Sequence, residues 1–311
     1  MIEDSAGIRE RSMKSNIKIV VVGNCQARPL AKILESLNPK INVTAMAIVH
    51  LLKDEQFEEY RPAFEEADLI VSQLVFDAYP CEFVRTNFLI ERYGSKVISI
   101  VNLYFSGYTP DWFCPRIPGV GVLKGPMGDY HNRTILEAWC SGEAAEIACS
   151  KLTDKKHNQK YAPQIESSFN ELLNREKDVD VPITDAILSR YRKERLFFTF
   201  NHPSMVLIRE YAERILGQAG ISNKRSLRSL FKVKDRELLN QLIPLANPAN
   251  GLPAGQEVKH KGVDFVFDED HIVKTGRKKY YDSRAIVEKF YLIYEKYGDE
   301  LNLKSLYYNA N

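Results

Sequence analysis

The sequence predicts an α/β protein with a mainly parallel central sheet, and three observations carry that expectation. Apolar, β-branched runs at 19–22, 67–71 and 97–101 each close on polar residues, respectively Asn24-Cys25-Gln26, Ser72-Gln73 and Asn102. Helix-patterned stretches separate these runs, as in a sheet whose parallel strands are joined by crossover helices. Twice the chain passes from a strand through a polar turn and a proline into an amphipathic helix, at 18–37 and again from residue 196 onward.

Taken in order, residues 1–16 are polar and mixed in charge, and a mobile extension is expected there, ahead of a single α/β domain over 17–311. Residues 19–22 suit a strand buried on both faces. Gly23 breaks it, and from Pro29 onward Leu30, Ile33, Leu34 and Leu37 repeat at helical spacing, with Pro29 in the first turn. A second apolar run at 43–50 reads as a strand, and 56–64 reads as a helix stopped early by Pro62. After the runs at 67–73 and 97–101, the stretch 103–128 is rich in aromatics, prolines and glycines. It has too many breakers for regular structure and too many aromatics for a disordered linker, so it reads as a long ordered loop of functional kind. Asp129-Tyr130-His131-Asn132 leads into a helix over 133–141, which Gly142 ends.

Another helix begins at 143–151. The charged segment 152–195 reads as a helical pair with Ile165, Phe169, Leu172 and Leu173 on one face. An aromatic strand at 196–200 ends in Asn201-His202-Pro203-Ser204, and the helix after it turns Val206, Leu207, Tyr211, Ile215 and Leu216 inward. Beyond lie a basic stretch (223–236), an irregular loop (243–253), a short strand (265–267) and a final helix (282–297) with Ile286, Val287, Phe290, Ile293 and Tyr294 inward.

Composition narrows the function classes. Across 311 residues the net charge is +2, with 44% apolar and 27% charged residues, which argues against a nucleic-acid or membrane-surface partner. No apolar run approaches the roughly 20 residues of a membrane span, and no apolar core follows the first methionine, so a cytoplasmic protein is expected. The five cysteines (Cys25, Cys81, Cys114, Cys140 and Cys149) are odd in number and none forms a C-x-x-C pair. Neither a zinc site nor a disulfide framework is expected, and no metal. Cys140 and Cys149 read as small core residues.

Cys25 is the cysteine in a reactive setting, at a strand–helix turn where ligands of open α/β sheets bind and where a helix N-terminus favours a thiolate. His202 sits in the matching turn and supplies the base that a thiol or hydroxyl needs. Asn24 and Gln26 are amides able to hold an oxyanion, although Asn24 also suits helix capping. Ser72, Gln73 and Asn102 end strands on the same side. The run Arg277-Lys278-Lys279 reads as solvated surface, and Gly119, Gly121, Gly125 and Gly128 do not form a dinucleotide-binding loop.

Four stretches in this order, Gly23-Asn24-Cys25-Gln26, Phe105-Ser106-Gly107-Tyr108-Thr109-Pro110-Asp111, Asp129-Tyr130-His131-Asn132 and Phe200-Asn201-His202-Pro203, resemble the WcbI family of polysaccharide-biosynthesis proteins, regarded as capsular acetyltransferases. The resemblance implies a three-layer, SGNH-hydrolase-like α/β sandwich with added helices, in which Gly23-Asn24-Cys25 stands where those enzymes carry Gly-Asp-Ser. It differs from them in having cysteine for serine and no aspartate three residues before His202. It also implies acetyl-CoA as donor and a saccharide acceptor, with His202 and Cys25 catalytic and Asn24 and Gln26 at the oxyanion. Expected cofactor contacts are Gly23, Arg28, Lys124, Tyr130, His131 and Asn201; expected acceptor contacts are Ser72, Gln73, Asn102 and Tyr108. Tyr104 and Trp112 are further stacking candidates. A hydrolase of the same fold and a non-catalytic coenzyme A- or glycan-binding module stay open as alternatives.

Overall fold

A computed structural model describes residues 16–117, 121–223, 240–250, 259–267 and 273–298. The basic stretch, most of the N-terminal extension and the end of the 243–253 loop lie outside them. Four strands, β1 (Ile17–Gly23), β2 (Ile41–Ile48), β3 (Leu69–Gln73) and β4 (Val97–Ile100), form a parallel sheet in the order β2-β1-β3-β4. All four expected sheet strands are present. Because β1 lies between β2 and β3, the chain leaves it in opposite directions on its two sides. The crevice past the carboxyl ends of β1 and β3 is therefore the topological switch point.

Side-chain alternation along β1 builds two cores. Ile19 and Val21 face α1 (Ala27–Leu37), while Val20 and Val22 face α2 (Phe57–Glu66) and α3 (Thr86–Tyr93), so helices cover both faces. In α1 the stripe Leu30, Ile33, Leu34 and Leu37 is buried at the predicted spacing. A helix at Met205–Gln218 packs beside it through Leu207, Tyr211, Ile215 and Leu216, while Val206 faces solvent at 37% exposure.

Pro62 does not stop α2, which continues to Glu66. An interior proline forgoes one backbone bond at a cost of about 3 kcal/mol. Burying Phe64 with Phe57 and Tyr60 against Phe83 offsets that loss.

A third apolar cluster joins the elements inserted after β4. It unites Trp112, Leu123, Met127 and Tyr130 of the aromatic loop, Ile135 and Leu136 of the helix Arg133–Cys140, Phe200, and Phe290 and Tyr294 of the helix Ser283–Tyr297. The segment 152–195 carries helices at Ala162–Glu176 and Thr184–Arg190, with Phe169 and Leu172 buried and Leu173 exposed. Two departures concern strands. The aromatic strand Phe197–Thr199 pairs antiparallel with His202–Pro203 and stands apart from the main sheet. The short strand expected at 265–267 belongs to a long antiparallel hairpin, His260–Phe267 with Val273–Tyr281, so the basic run at 277–279 is an exposed strand.

Candidate active site

The turn after β1 is built by amides. Gly23 has no room for a side chain: a Cβ there would stand 2.5 Å from Gln73 Oε1. That close approach lets Gln73 Oε1 accept the Asn24 N–H at 2.8 Å, across the switch point between β1 and β3. Asn24 Oδ1 accepts the Gln26 N–H at 2.9 Å, and Asn24 O accepts the Ala27 N–H at 3.0 Å, which closes the turn into α1. Ser72 is fully buried with its hydroxyl on Gln73 O, so it faces away from any ligand.

Gln26 uses its whole amide inside the fold. Its Nε2 donates to Leu103 O at 2.6 Å and Asn201 O at 3.0 Å, while Oε1 accepts from Leu103 N at 2.9 Å and Gln73 Nε2 at 3.1 Å. The oxyanion role expected for its side chain is therefore replaced by a positioning one. Gln26 ties the cysteine turn, the start of the aromatic loop and the histidine turn into one unit. Gln26→Ala orphans buried partners on three segments, each worth roughly 1–3 kcal/mol, and is expected to lower stability by about 3–5 kcal/mol in urea unfolding.

Cys25 is exposed at the tip of this turn. Neighbouring atoms desolvate its thiol and raise its pKa above the usual value, while its own peptide N–H and the Arg28 guanidinium pull the other way. Desolvation is the largest of these influences, so the thiol is held above its ordinary range and is protonated at neutral pH. Among the described residues the Arg28 peptide N–H meets no acceptor and that of Cys25 meets only its own sulfur, which leaves two backbone donors at the turn. Arg28 itself is exposed.

His202 is held without a carboxylate. Its Nδ1 lies 2.8 Å from both Tyr130 OH and Thr199 Oγ1, and both hydroxyls also contact Asn201 Oδ1, at 2.7 and 3.1 Å. Proton counting selects the tautomer. If both hydroxyls donate to Asn201 Oδ1, which can only accept, an Nδ1–H can donate back and every contact is attractive. With the proton on Nε2, two hydroxyl protons must serve four short contacts. The ring is therefore protonated at Nδ1, and its Nε2 lone pair, which has no partner among the described residues, is the basic position. Burial lowers the His202 pKa, Asp129 opposes this, and Lys278 adds to it, so the imidazole is neutral at pH 7.

The other expected site residues divide. Tyr130 lies in the hydroxyl pair that holds the His202 ring, and Asn201 Oδ1 accepts from both of those hydroxyls. His131 does not: it is buried among Phe113, Phe290 and Tyr294, with Nε2 on Leu123 O at 3.1 Å and Nδ1 on Tyr294 OH at 2.9 Å. Burial lowers its pKa to about 3. Tyr108 is likewise internal, its hydroxyl bonded to Leu196 N, Tyr191 O and Glu194 O. Asn102 is half-buried and accepts from Arg175 at 2.5 Å. Lys124 makes a surface pair with Asp129 at 3.2 Å. Trp112 is buried, whereas Tyr104 is 36% exposed and packs on Phe200, one residue before Asn201. Sequence reasoning missed Thr199; a hydroxyl three residues before the histidine was its signal.

An exposed thiol and a half-buried imidazole thus stand on two turns that Gln26 fastens together, beside the switch point of a parallel α/β sheet, the place where open α/β enzymes bind their ligands. The family model for the polysaccharide biosynthesis enzyme WcbI matches residues 18–224, and the chain belongs to that family. Among solved structures, a WcbI structure shares the fold with a TM-score of 0.70, 22% sequence identity and 94% coverage of both chains. It is described as a novel polysaccharide biosynthesis enzyme, in its native form without a disulfide bond between coenzyme A and a cysteine of that protein. No curated protein sequence matches the chain. Among the described residues no helix is long and apolar enough to cross a membrane, and no cluster of metal-ligating side chains occurs.

Proposed function

We propose that this member of the polysaccharide biosynthesis family transfers an acetyl group from acetyl-CoA to a saccharide hydroxyl. The observation that carries the reading is the Gln26 amide, which bonds Asn201 O and so fastens the base-bearing turn to the turn that bears Cys25. The position of a nucleophile turn after β1 of a parallel sheet supports the SGNH-hydrolase-like comparison. The description of the solved relative, which names a disulfide between coenzyme A and a cysteine as absent from that native form, supports placing the donor's thiol end beside Cys25.

In this reading His202 Nε2 takes the proton of the acceptor hydroxyl as that oxygen attacks the thioester carbonyl. The peptide N–H groups of Cys25 and Arg28 hold the resulting oxyanion. Collapse breaks the carbon–sulfur bond, and the imidazolium returns its proton to the departing coenzyme A thiolate. The proton and electron pair balance without another reagent. A cytoplasmic location follows from the donor, and Tyr104 with Phe200 offers the sugar an apolar face.

Cys25 lines the site in this scheme, because its thiol is protonated and a direct transfer needs no second nucleophile. Cys25→Ala is expected to keep acetyl transfer within about tenfold of wild type, with no acetylated protein detected by intact-mass spectrometry. Loss of transfer in both Cys25→Ala and Cys25→Ser, together with an acetyl adduct on the wild-type chain, would establish the covalent route instead. Release of acetate from acetylated glycan with no need for coenzyme A would overturn the transferase reading.

A further inference from the structure

The hairpin His260–Phe267/Val273–Tyr281 carries two ammonium groups that the scheme above does not use. Register pairs Lys261 with Tyr280 and Val263 with Lys278, so Lys261 and Lys278 lie diagonally on one face of the hairpin. Neither ammonium has a hydrogen-bond or ion-pair partner among the described residues. Lys279, between Lys278 and Tyr280, pairs with Asp264 at 3.5 Å and sits on the other face. Lys261 is only 8% exposed, so its stem is covered while its ammonium has no counter-ion among the described residues. A covered cation without a partner is costly, and the like charge of the exposed Lys278 on the same face adds to that cost. Burial lowers the Lys261 pKa; burial and then Lys261 lower that of Lys278.

The hairpin is fixed beside the candidate base. Val263 N donates to Pro126 O at 2.8 Å, and Gly262 is packed so closely that a Cβ would stand 2.1 Å from the same oxygen. That loop runs into Tyr130, whose hydroxyl touches His202. Lys278 is near enough to His202 to lower its proton affinity.

We propose that Lys261 and Lys278 form an oxyanion-binding subsite that holds a carboxylate of the acceptor saccharide on the hairpin fastened to the Tyr130 loop. The shared chemistry is that of any carboxylate or phosphate. The acceptor is favoured as its source because the pantetheine arm separates the thioester from the nearest phosphate of acetyl-CoA, whereas the hairpin that bears these cations is bonded to the loop ending in Tyr130, which holds the base. The inference rests on the proposed transfer and extends it to an acidic sugar, of the uronic acid class.

Binding separates the possibilities without needing turnover. Saturation-transfer NMR titrations would compare methyl glucuronide, methyl glucoside and acetyl-CoA on the wild-type chain, Lys261→Met and Lys278→Met, with Lys278→Arg as the charge-retaining control. The expected result is at least tenfold weaker glucuronide binding in both Met variants, little change for Lys278→Arg, and unchanged glucoside and acetyl-CoA binding, since hydrogen bonds to charged groups are worth roughly ten- to a hundredfold. Weaker acetyl-CoA binding with glucuronide unaffected would assign the lysines to the donor's phosphates and overturn the proposal. Equal binding of all probes by all variants would make them solvated cations and overturn it too. Selective glucuronide binding in a chain that ignores acetyl-CoA would support the subsite while removing the transferase reading.

Discussion

Replacing His202 with glutamine is expected to lower acetyl transfer by about 10²–10⁴-fold, the usual contribution of a positioned general base. The loss falls on kcat, because the imidazole acts on a proton in flight. Its supports predict smaller effects of the same kind. Tyr130→Phe and Thr199→Val each remove one hydroxyl from the Nδ1 network and are expected to lower kcat by about tenfold with KM little changed, the signature of an interaction made in the transition state. The pH profile adds a test that misfolding cannot imitate. Since burial and Lys278 lower the His202 pKa, the acid limb of kcat/KM lies below the usual histidine range. Lys278→Met removes a cation and moves that limb to higher pH; Asp129→Asn removes an anion and moves it lower.

The second large effect is on stability. His131 and His260 are both buried, and burial lowers each pKa from 6.5 to about 3. His131 accepts the Tyr294 hydroxyl and His260 Nδ1 accepts the Leu245 N–H at 3.1 Å, so protonation would also cost a bond. Below pH 6.5 the unfolded chain takes up protons at these positions that the folded chain refuses. Stability therefore falls with falling pH, by about 1.4 kcal/mol per unit for each imidazole. Between pH 7.5 and pH 5 the pair accounts for about 4 kcal/mol, measurable by urea unfolding at both values. His131→Phe lowers stability at neutral pH but should make its pH dependence shallower by about one imidazole's share. An unchanged slope in that variant would show that His131 titrates freely in the folded chain.

The strands and the two turns were legible because burial on both faces demands β-branched runs, and because a proline after a polar turn marks a helix start. Cys25 and His202 stood out for that reason. The hairpin at Val273–Tyr281 was not legible: Lys274, Arg277, Lys278 and Lys279 are exposed, so apolar alternation, the main strand signal, is missing. Pro62 misled because its local cost is visible in sequence while the aromatic packing that offsets it is tertiary. The roles of Gln26 and Gln73 depend on contacts 47 to 175 residues apart. A glutamine that clips three segments is spelled the same way as one that faces a ligand. His131 and His202 both follow an aromatic residue within two positions, Tyr130 and Phe200, and only burial separates a core imidazole from an accessible one.

The central claim is that the carboxyl edge of this sheet receives the acetylated thiol end of coenzyme A. Thermal unfolding with increasing acetyl-CoA, on the wild-type chain, tests it most directly. At a hundred times the dissociation constant the folded state gains about 2.7 kcal/mol, which for a chain of this size raises Tm by several degrees. That rise, weakened when the Cys25 turn is disrupted by Gly23→Val, is the expected result. An unmoved Tm at millimolar acetyl-CoA would contradict it.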